Sequence, residues 1–415
     1  MSSSPRTVSE QRALVMSAVQ PVDSLVLYPF EAEGLTLRSD ATAALQVPPF
    51  TNSAMDGFAV RFDDVRAASL ESPVALEVVA DIPAGVDLDP PLQPGQAARI
   101  MTGSPLPTAA DTIVPFEETT GGLADSLDTV RVTKAPHNVG AFVRHAGEDV
   151  QVGDVVLTAG TRLGPRQIAS LVSTGITSVD VSRKPRVAVL STGSELVAAG
   201  APVGRGQIPD SNGGLIAGLA RAADAEVTVV QAVADDPEEF RAVFAALLDT
   251  KPDVVCLSGG VSAGAYEVVR QVLSETGDME FGPVAMQPGK PQGFGTTSTG
   301  CLLFGLPGNP VSSAVSFEAF VRPALLAMAG RDHTHRPRLR LTTSQGWTCP
   351  PGREQHVPVV IDRSYPAAWT VAPATAAHSA SHLVGTLGLA EALAIIPAET
   401  QAVRQGDQVD VVYLP

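Results

Sequence analysis

Five short stretches of this 415-residue chain place small, turn-forming residues next to a carboxylate or an amide. They are "LSTGSEL" (190–196), "IPDSNGG" (208–214), "AVADDPEE" (232–239), "LSGGVSAGAYE" (257–267) and "LPGNPVSS" (306–313). Glycine lets a backbone approach a ligand closely, and free N–H groups at a helix start attract an anion. The residues that could line such a cradle are Ser191, Thr192, Gly193, Asp210, Asn212, Ser258, Gly259, Gly260, Val261, Ser262, Pro307, Gly308, Asn309 and Ser312. One such turn alone is ordinary turn chemistry. Glu195, Asp235 and Asp236 also read as partners of a helix macrodipole. Carboxylates beside an anion cradle repel the ligand unless a hard divalent cation bridges them. Glu195, Asp235 and Glu267 are the candidates for that task, and Mg2+ fits it, held by carboxylates and ligand phosphates together.

What must position these turns is a sheet. From Arg186 onward, β-branched apolar runs ("RVAVLS", "EVTVVQAV", "DVVCLS", "CLLFGL") alternate with helical patterns from Asn212, from Pro237, from about 265 and over "PVSSAVSFEAFVRPALLAM". That alternation predicts a parallel, doubly wound α/β sheet with chemistry at the carboxyl ends of its strands. Upstream, Thr7 and Glu10 have capping-box spacing at the head of a helix, "TVSEQRALVMSAV", with Leu14, Val15, Ala18 and Val19 as its stripe. Between about 74 and 135, short β-like runs separated by Pro, Gly and Asp suggest a small mostly-β domain. Beyond His335 further short β pieces suggest a barrel or a sandwich. The expected division is 1–48 with 142–182 as a discontinuous N-terminal linker domain, 49–141 as an inserted mostly-β domain, 183–332 as the α/β domain and 333–415 as a C-terminal β-barrel.

Composition narrows the possible partners. Hydrophobic residues make up 44%, as expected of a globular chain. Lys and Arg total 28 against 44 Asp and Glu, a net charge of −16, with no basic run. Such a field repels nucleic acid and anionic membranes, so an anionic substrate needs backbone donors, a few placed cations or a metal. Cys256, Cys301 and Cys349 form no C-x-x-C pair and read as small buried hydrophobes in a reducing compartment. No early apolar segment follows a basic start, and no apolar stretch approaches a membrane span, so the expectation is a cytoplasmic protein.

Two stretches fail as metal or phosphate motifs. "VAMQPGKP" (284–291) has Val284 and Pro291 where a P-loop needs glycine and a hydroxyl residue. "HSASH" puts His378 and His382 four apart, without helical context or an adjacent Glu. "PPFTNSAMDGFAV" (48–60) sets Asp56 in a turn, either bonding its own backbone or serving as a functional carboxylate.

Taken in order, "PPFTNSAMDGFAV", "RIMTGSPLP", "HAGEDVQVGD", "LSTGSEL", "SGGVSAG", "PGKP" and "LPGNPVS" resemble the MoeA/gephyrin E-domain family of molybdopterin molybdenumtransferases. The resemblance runs from about residue 8 to the end. It implies a MoaB/Mog-like molybdopterin-binding α/β domain. It also implies a Mg2+-dependent reaction in which adenylylated molybdopterin (molybdopterin-AMP) meets molybdate, AMP leaves and molybdenum is placed on the dithiolene sulfurs. A homodimer is implied, with each cleft between the α/β domain of one subunit and the smaller domains of the other. So is supply by a molybdopterin adenylyltransferase. Carried over residue by residue, Asp56 matches the family's Asp in the MDG turn, Thr102 its Thr in MTG, and Asp149 its second Asp-bearing motif. Glu195 matches the carboxylate of TG-x-EL, Asp235 the first Asp of DDP, Ser312 the Ser after PGNP, and Ser381 with His382 a Ser-His step. On this resemblance Asp56, Asp149, Glu195, Asp235 and Glu267 form the catalytic set, acting on metal and substrate rather than covalently.

The departures fall on groups expected to hold molybdate. Glu267 stands where the family has Asp, and Pro283, Gln287 and Pro358 stand where it carries cations, leaving Lys290 and Arg353, with His356 as a possible substitute. Two other readings follow: a non-catalytic scaffold that binds the pterin nucleotide, or the adenylyltransferase itself.

Overall fold

The computed structural model describes residues 4–122, 127–261, 267–375 and 384–414. At its centre four parallel strands lie in the order Glu226–Val233, Arg186–Thr192, Val254–Ser258, Leu302–Leu306. Alternate residues feed opposite layers. Val187, Val189, Val254 and Cys256 pack under helices Asn212–Ala222 and Pro310–Met328, while Ala188, Leu190, Val255 and Leu257 pack under Pro237–Asp249 and Val268–Glu275. Burial on both faces is why these strands read as unbroken apolar runs. The chain leaves Arg186–Thr192 for one neighbour and returns to the other, so the strand order reverses between Thr192 and Ser258. A crevice opens at such a point, at the carboxyl ends of the strands.

The sheet is wider and less uniform than expected. Pro291–Thr296 and Met279–Pro283 add two antiparallel strands beyond Leu302–Leu306. Their glycines and prolines carry little strand propensity, so pairing with the sheet imposes the extended form. A second difference concerns length and hydropathy. Helix Pro310–Met328 is 19 residues long with a mean hydropathy of 1.3, enough for a membrane span, and 78% of its apolar window is buried inside the fold.

The N-terminal helix, Val8–Ala18, is capped as its sequence requires. The Thr7 hydroxyl accepts from the Glu10 N–H at 3.1 Å and the Glu10 carboxylate accepts from the Thr7 N–H at 2.7 Å. Its Val8 and Val15 insert into the α/β core. The linker region is knitted from distant segments: Ser24–Leu27 pairs with Val179–Ser182, and Ala41–Thr42 with Val155–Leu157. Between them sits a six-stranded sheet in which Gly57–Val60 lies between Thr112–Pro115 and Gln96–Ile100.

The C-terminal part is a closed five-stranded barrel. Glu354–Asp362 pairs with Thr370–Pro373, which pairs with Arg338–Thr343, then Gln408–Tyr413, then Ala392–Ile396, which returns to Glu354–Asp362. Met286–Gln287, from the α/β region, pairs in parallel with Glu354–Gln355 and fastens the barrel beside the crevice. Cys256, Cys301 and Cys349 are buried and unpaired, and burial pushes the Cys301 thiol up to about 12.

Candidate active site

The crevice holds a cavity of about 640 Å³. It gathers Ser191, Thr192, Gly193, Glu195, Asp210, Asn212, Asp235, Ser258, Gly259, Gly260, Val261, Glu267, Pro307, Gly308, Asn309 and Ser312, together with Lys290 and Arg353. Ser211, Gln287, Pro288 and Gly289 also line it. The last two lay unread inside "PGKP" because a Pro-Gly step reads as a turn before it reads as a wall. Ser262 and Ser381, with His378 and His382, lie outside the described residues.

Two glycines shape the floor. Gly259 has φ +90 and Gly260 φ +64, a left-handed path that a side chain disfavours. A Cβ on Gly259 would sit 2.5 Å from the Thr192 carbonyl oxygen, and one on Gly260 2.8 Å from Val269. The Ser-Gly-Gly turn is therefore locked against the end of the neighbouring strand, not loose on the surface. Asn212 braces it, donating from its amide to Ser258 Oγ at 2.7 Å and to the Gly308 carbonyl at 2.6 Å. Gly213 donates to Asp210 Oδ1 at 3.0 Å, so Asp210 holds the head of the same helix. Among the described residues, Ser191 Oγ, Thr192 Oγ1 and Asn212 Oδ1 are buried with no hydrogen-bond partner. Leaving such a group unmet costs about 1–3 kcal/mol, so these atoms mark where a polar ligand would be received.

The carboxylates divide their tasks. Asp236 caps helix Pro237–Asp249, accepting from the N–H groups of Glu238 and Glu239 at 3.0 and 2.8 Å. Asp235 instead faces the cavity, accepting from the Ser194 N–H at 3.0 Å while its own N–H donates to Ser194 Oγ at 3.1 Å. Glu267 stands at the head of helix Val268–Glu275 and makes no side-chain cap bond. Glu195, Asp235 and Glu267 thus share one cavity, yet among the described residues no three His, Cys, Asp or Glu side chains form a ready ion cage. That donor set fits Mg2+, which takes one or two carboxylates and fills its shell with water and ligand phosphate.

Asp56, Thr102 and Asp149 are elsewhere; none of them lines the cavity. Asp56 Oδ1 accepts from both the N–H and the hydroxyl of Thr102, each at 2.7 Å. Those bonds, the backbone one first, hold its carboxyl below the ordinary carboxylate value. Asp149 is exposed, its backbone N–H bonded to the Val47 carbonyl at 2.9 Å.

This layout meets a consistent set of relatives. Three family models match in series: the MoeA N-terminal region (domains I and II) over residues 6–175, a probable molybdopterin binding domain over 188–327, and the MoeA C-terminal region (domain IV) over 340–414. Molybdopterin molybdenumtransferase 2 of Mycobacterium tuberculosis is 39% identical over 412 residues, 98% of this chain and 99% of the relative. The chain belongs to the MoeA family of molybdopterin molybdenumtransferases. Like those relatives it is a transferase with a role in molybdenum-cofactor biosynthesis. Molybdopterin molybdenumtransferase 1 of M. tuberculosis is 36% identical over 99% of each chain. The solved structure of a molybdopterin biosynthesis MoeA protein from Pyrococcus horikoshii superposes with a TM-score of 0.83 at 25% identity, covering 99% of this chain and 100% of that one.

Within this MoeA-family chain the three departures are not equivalent. Gln287 lines the cavity and accepts from Arg353 Nη1 at 3.3 Å. Pro358 lies in a barrel strand opposite Leu393, and Pro283 at the end of an edge strand; neither faces the cavity. His356 does not reach it either, because its strand turns it into a separate, smaller cavity. The cations on the cavity wall are Lys290 and Arg353.

Proposed function

We propose that this chain is a molybdenum insertase: it takes adenylylated molybdopterin and molybdate, releases AMP and leaves molybdenum on the dithiolene sulfurs. The supporting observation is the composition of one cavity, in which buried, unmet hydroxyls, a locked glycine turn, four carboxylates and two cations face the same space. Backbone donors of 260–261 would receive the pterin phosphate, and Ser191, Thr192 and Asn212 its polar edge. Lys290 and Arg353 would hold the oxyanion, with Gln287 setting the guanidinium's direction through its 3.3 Å bond. Glu195, Asp235 and Glu267 would hold Mg2+, which supplies positive charge to the phosphoanhydride as it is cleaved.

Asp56, kept ionised by Thr102, and Asp149 orient water or molybdate on this reading. Because they lie outside the chain's own cavity, a second copy brings them to it, and the working unit is a homodimer in the cytoplasm, supplied by a molybdopterin adenylyltransferase. Gln287 in place of a cation favours one rival, a pterin-nucleotide carrier without turnover. The adenylyltransferase alternative loses ground, since molybdopterin molybdenumtransferases match over the whole chain.

The test is AMP release from adenylylated molybdopterin with Mg2+ across a molybdate titration. We expect saturable, molybdate-dependent release, reduced about a hundredfold in Asp56→Ala with nucleotide affinity retained. Nucleotide binding without AMP at any molybdate concentration supports the carrier instead.

A further inference from the structure

A second cavity, of about 60 Å³, lies where helix Val8–Ala18, helix Pro310–Met328 and the barrel meet. Its walls carry Arg12, Arg322, Arg336, Arg338, His335 and His356. In a chain of net charge −16 this is an unusual concentration of cations. Three carboxylates answer them, one being Asp410, 3.5 Å from Arg338 Nη1. Glu318 accepts from Arg336 Nε at 2.8 Å and lies 3.7 Å from Arg322, while Glu354 lies 2.9 Å from His356 Nε2. Four guanidiniums against three carboxylates leave a surplus of one positive charge.

The other contacts do not absorb that surplus. Arg12 Nε donates to the Ala319 carbonyl at 3.2 Å, and Arg322 Nη1 to the Thr334 carbonyl at 3.3 Å. Among the described residues, Nε of Arg322 is buried with no partner. Burial pushes the guanidiniums of Arg12 and Arg322 below their ordinary value. His335 is lowered likewise, by burial first and then by Arg12, Arg322 and Arg338. Cations withdrawn from water without a full set of matching anions are costly, and a bound anion offsets that cost. The space exceeds the roughly 10–15 Å³ that one water needs, and it is far too small for a nucleotide.

We propose that this cavity binds a tetrahedral oxyanion, of the sulfate, phosphate or molybdate type, separately from the large cavity. The ion would join three elements distant in sequence: the N-terminal helix through Arg12, the last α/β helix through Arg322, and the first barrel strand through Arg338.

Equilibrium dialysis of the full chain against sulfate, phosphate and molybdate, in chloride buffer of fixed ionic strength, tests this. The expected result is a saturable site per chain, additional to the one at Arg353, that weakens about tenfold or more in Arg12→Gln and persists when the large-cavity site is weakened in Arg353→Gln. The relative affinities of the three ions identify which one the site takes. Should Arg12→Gln fail to fold, Arg338→Gln, at a half-exposed side chain, carries the same expectation. Absence of saturable binding overturns the proposal. So does binding confined to the site that Arg353→Gln weakens, or an additional site that survives Arg12→Gln or Arg338→Gln.

Discussion

The crevice on the α/β sheet and the Asp56 turn on the inserted sheet are built in opposite ways. In the crevice, the turns after four parallel strands end side by side and meet the helix head at 208–214, and neighbours fix one another: Asn212 to Ser258, Ser194 to Asp235, the glycines to Thr192. At Asp56 a single carboxylate is fixed by one residue, Thr102, 46 positions away. Topology supplies the first arrangement within one chain. The second is a poised group outside that cavity. The lesson is that this fold makes a receptor alone, and on our reading it completes a reaction centre by pairing with a second copy.

The sharpest way to break the receptor is Gly260→Val. The added side chain is forced into a left-handed backbone against Val269 and Thr192 Oγ1, at 2.8 and 2.9 Å for its first carbon. Strain of about 1–3 kcal/mol should weaken nucleotide binding about tenfold to a hundredfold, measured by calorimetry, without moving the Asp56 titration. A variant that binds as wild type does would remove the turn from the cradle.

Next in size is Arg353→Gln. Loss of one charged donor should raise the molybdate concentration needed for half-maximal AMP release by about tenfold, with nucleotide affinity unchanged. An unchanged molybdate titration would leave Lys290 as the sole cation in the account.

The smallest effect isolates the other region. Thr102→Val removes the hydroxyl donor to Asp56 and keeps the N–H. The folded carboxyl is depressed, so its stabilising bonds are present above the ordinary range near ~3.9 and are lost as pH falls through the folded value. In a carboxyl NMR titration the Asp56 midpoint should lie below that of an ordinary Asp and move up in Thr102→Val. Equal midpoints would mean that Thr102 does not set its charge.

Much of this was legible because both faces of the parallel strands are buried, which writes them as apolar runs with turn residues at their ends. The capping box at Thr7 and Glu10 is equally local. What could not be read depends on distant pairing. The edge strands Pro291–Thr296 and Met279–Pro283 are held by the sheet against their own composition. Gln287 looked like a lost cation, yet its side chain meets Arg353 only because the barrel closes and pairs Glu354–Gln355 with Met286–Gln287. His356, three residues from Arg353, was expected to share the large cavity; the strand carries it to the other one.

The central claim is that the receptor and Asp56 act together across two copies, and subunit mixing tests it most directly. Asp56→Ala and Gly260→Val chains, each strongly impaired alone at subsaturating nucleotide, are unfolded, refolded together and assayed for molybdate-dependent AMP release. Random pairing gives one heterodimer for every homodimer, and each heterodimer restores one of its two sites, so recovery should approach roughly a quarter of wild-type activity. Recovery at that level is the account's prediction. No activity above either variant alone, with heterodimers demonstrably formed, would contradict it and place Asp56 in the same chain's site.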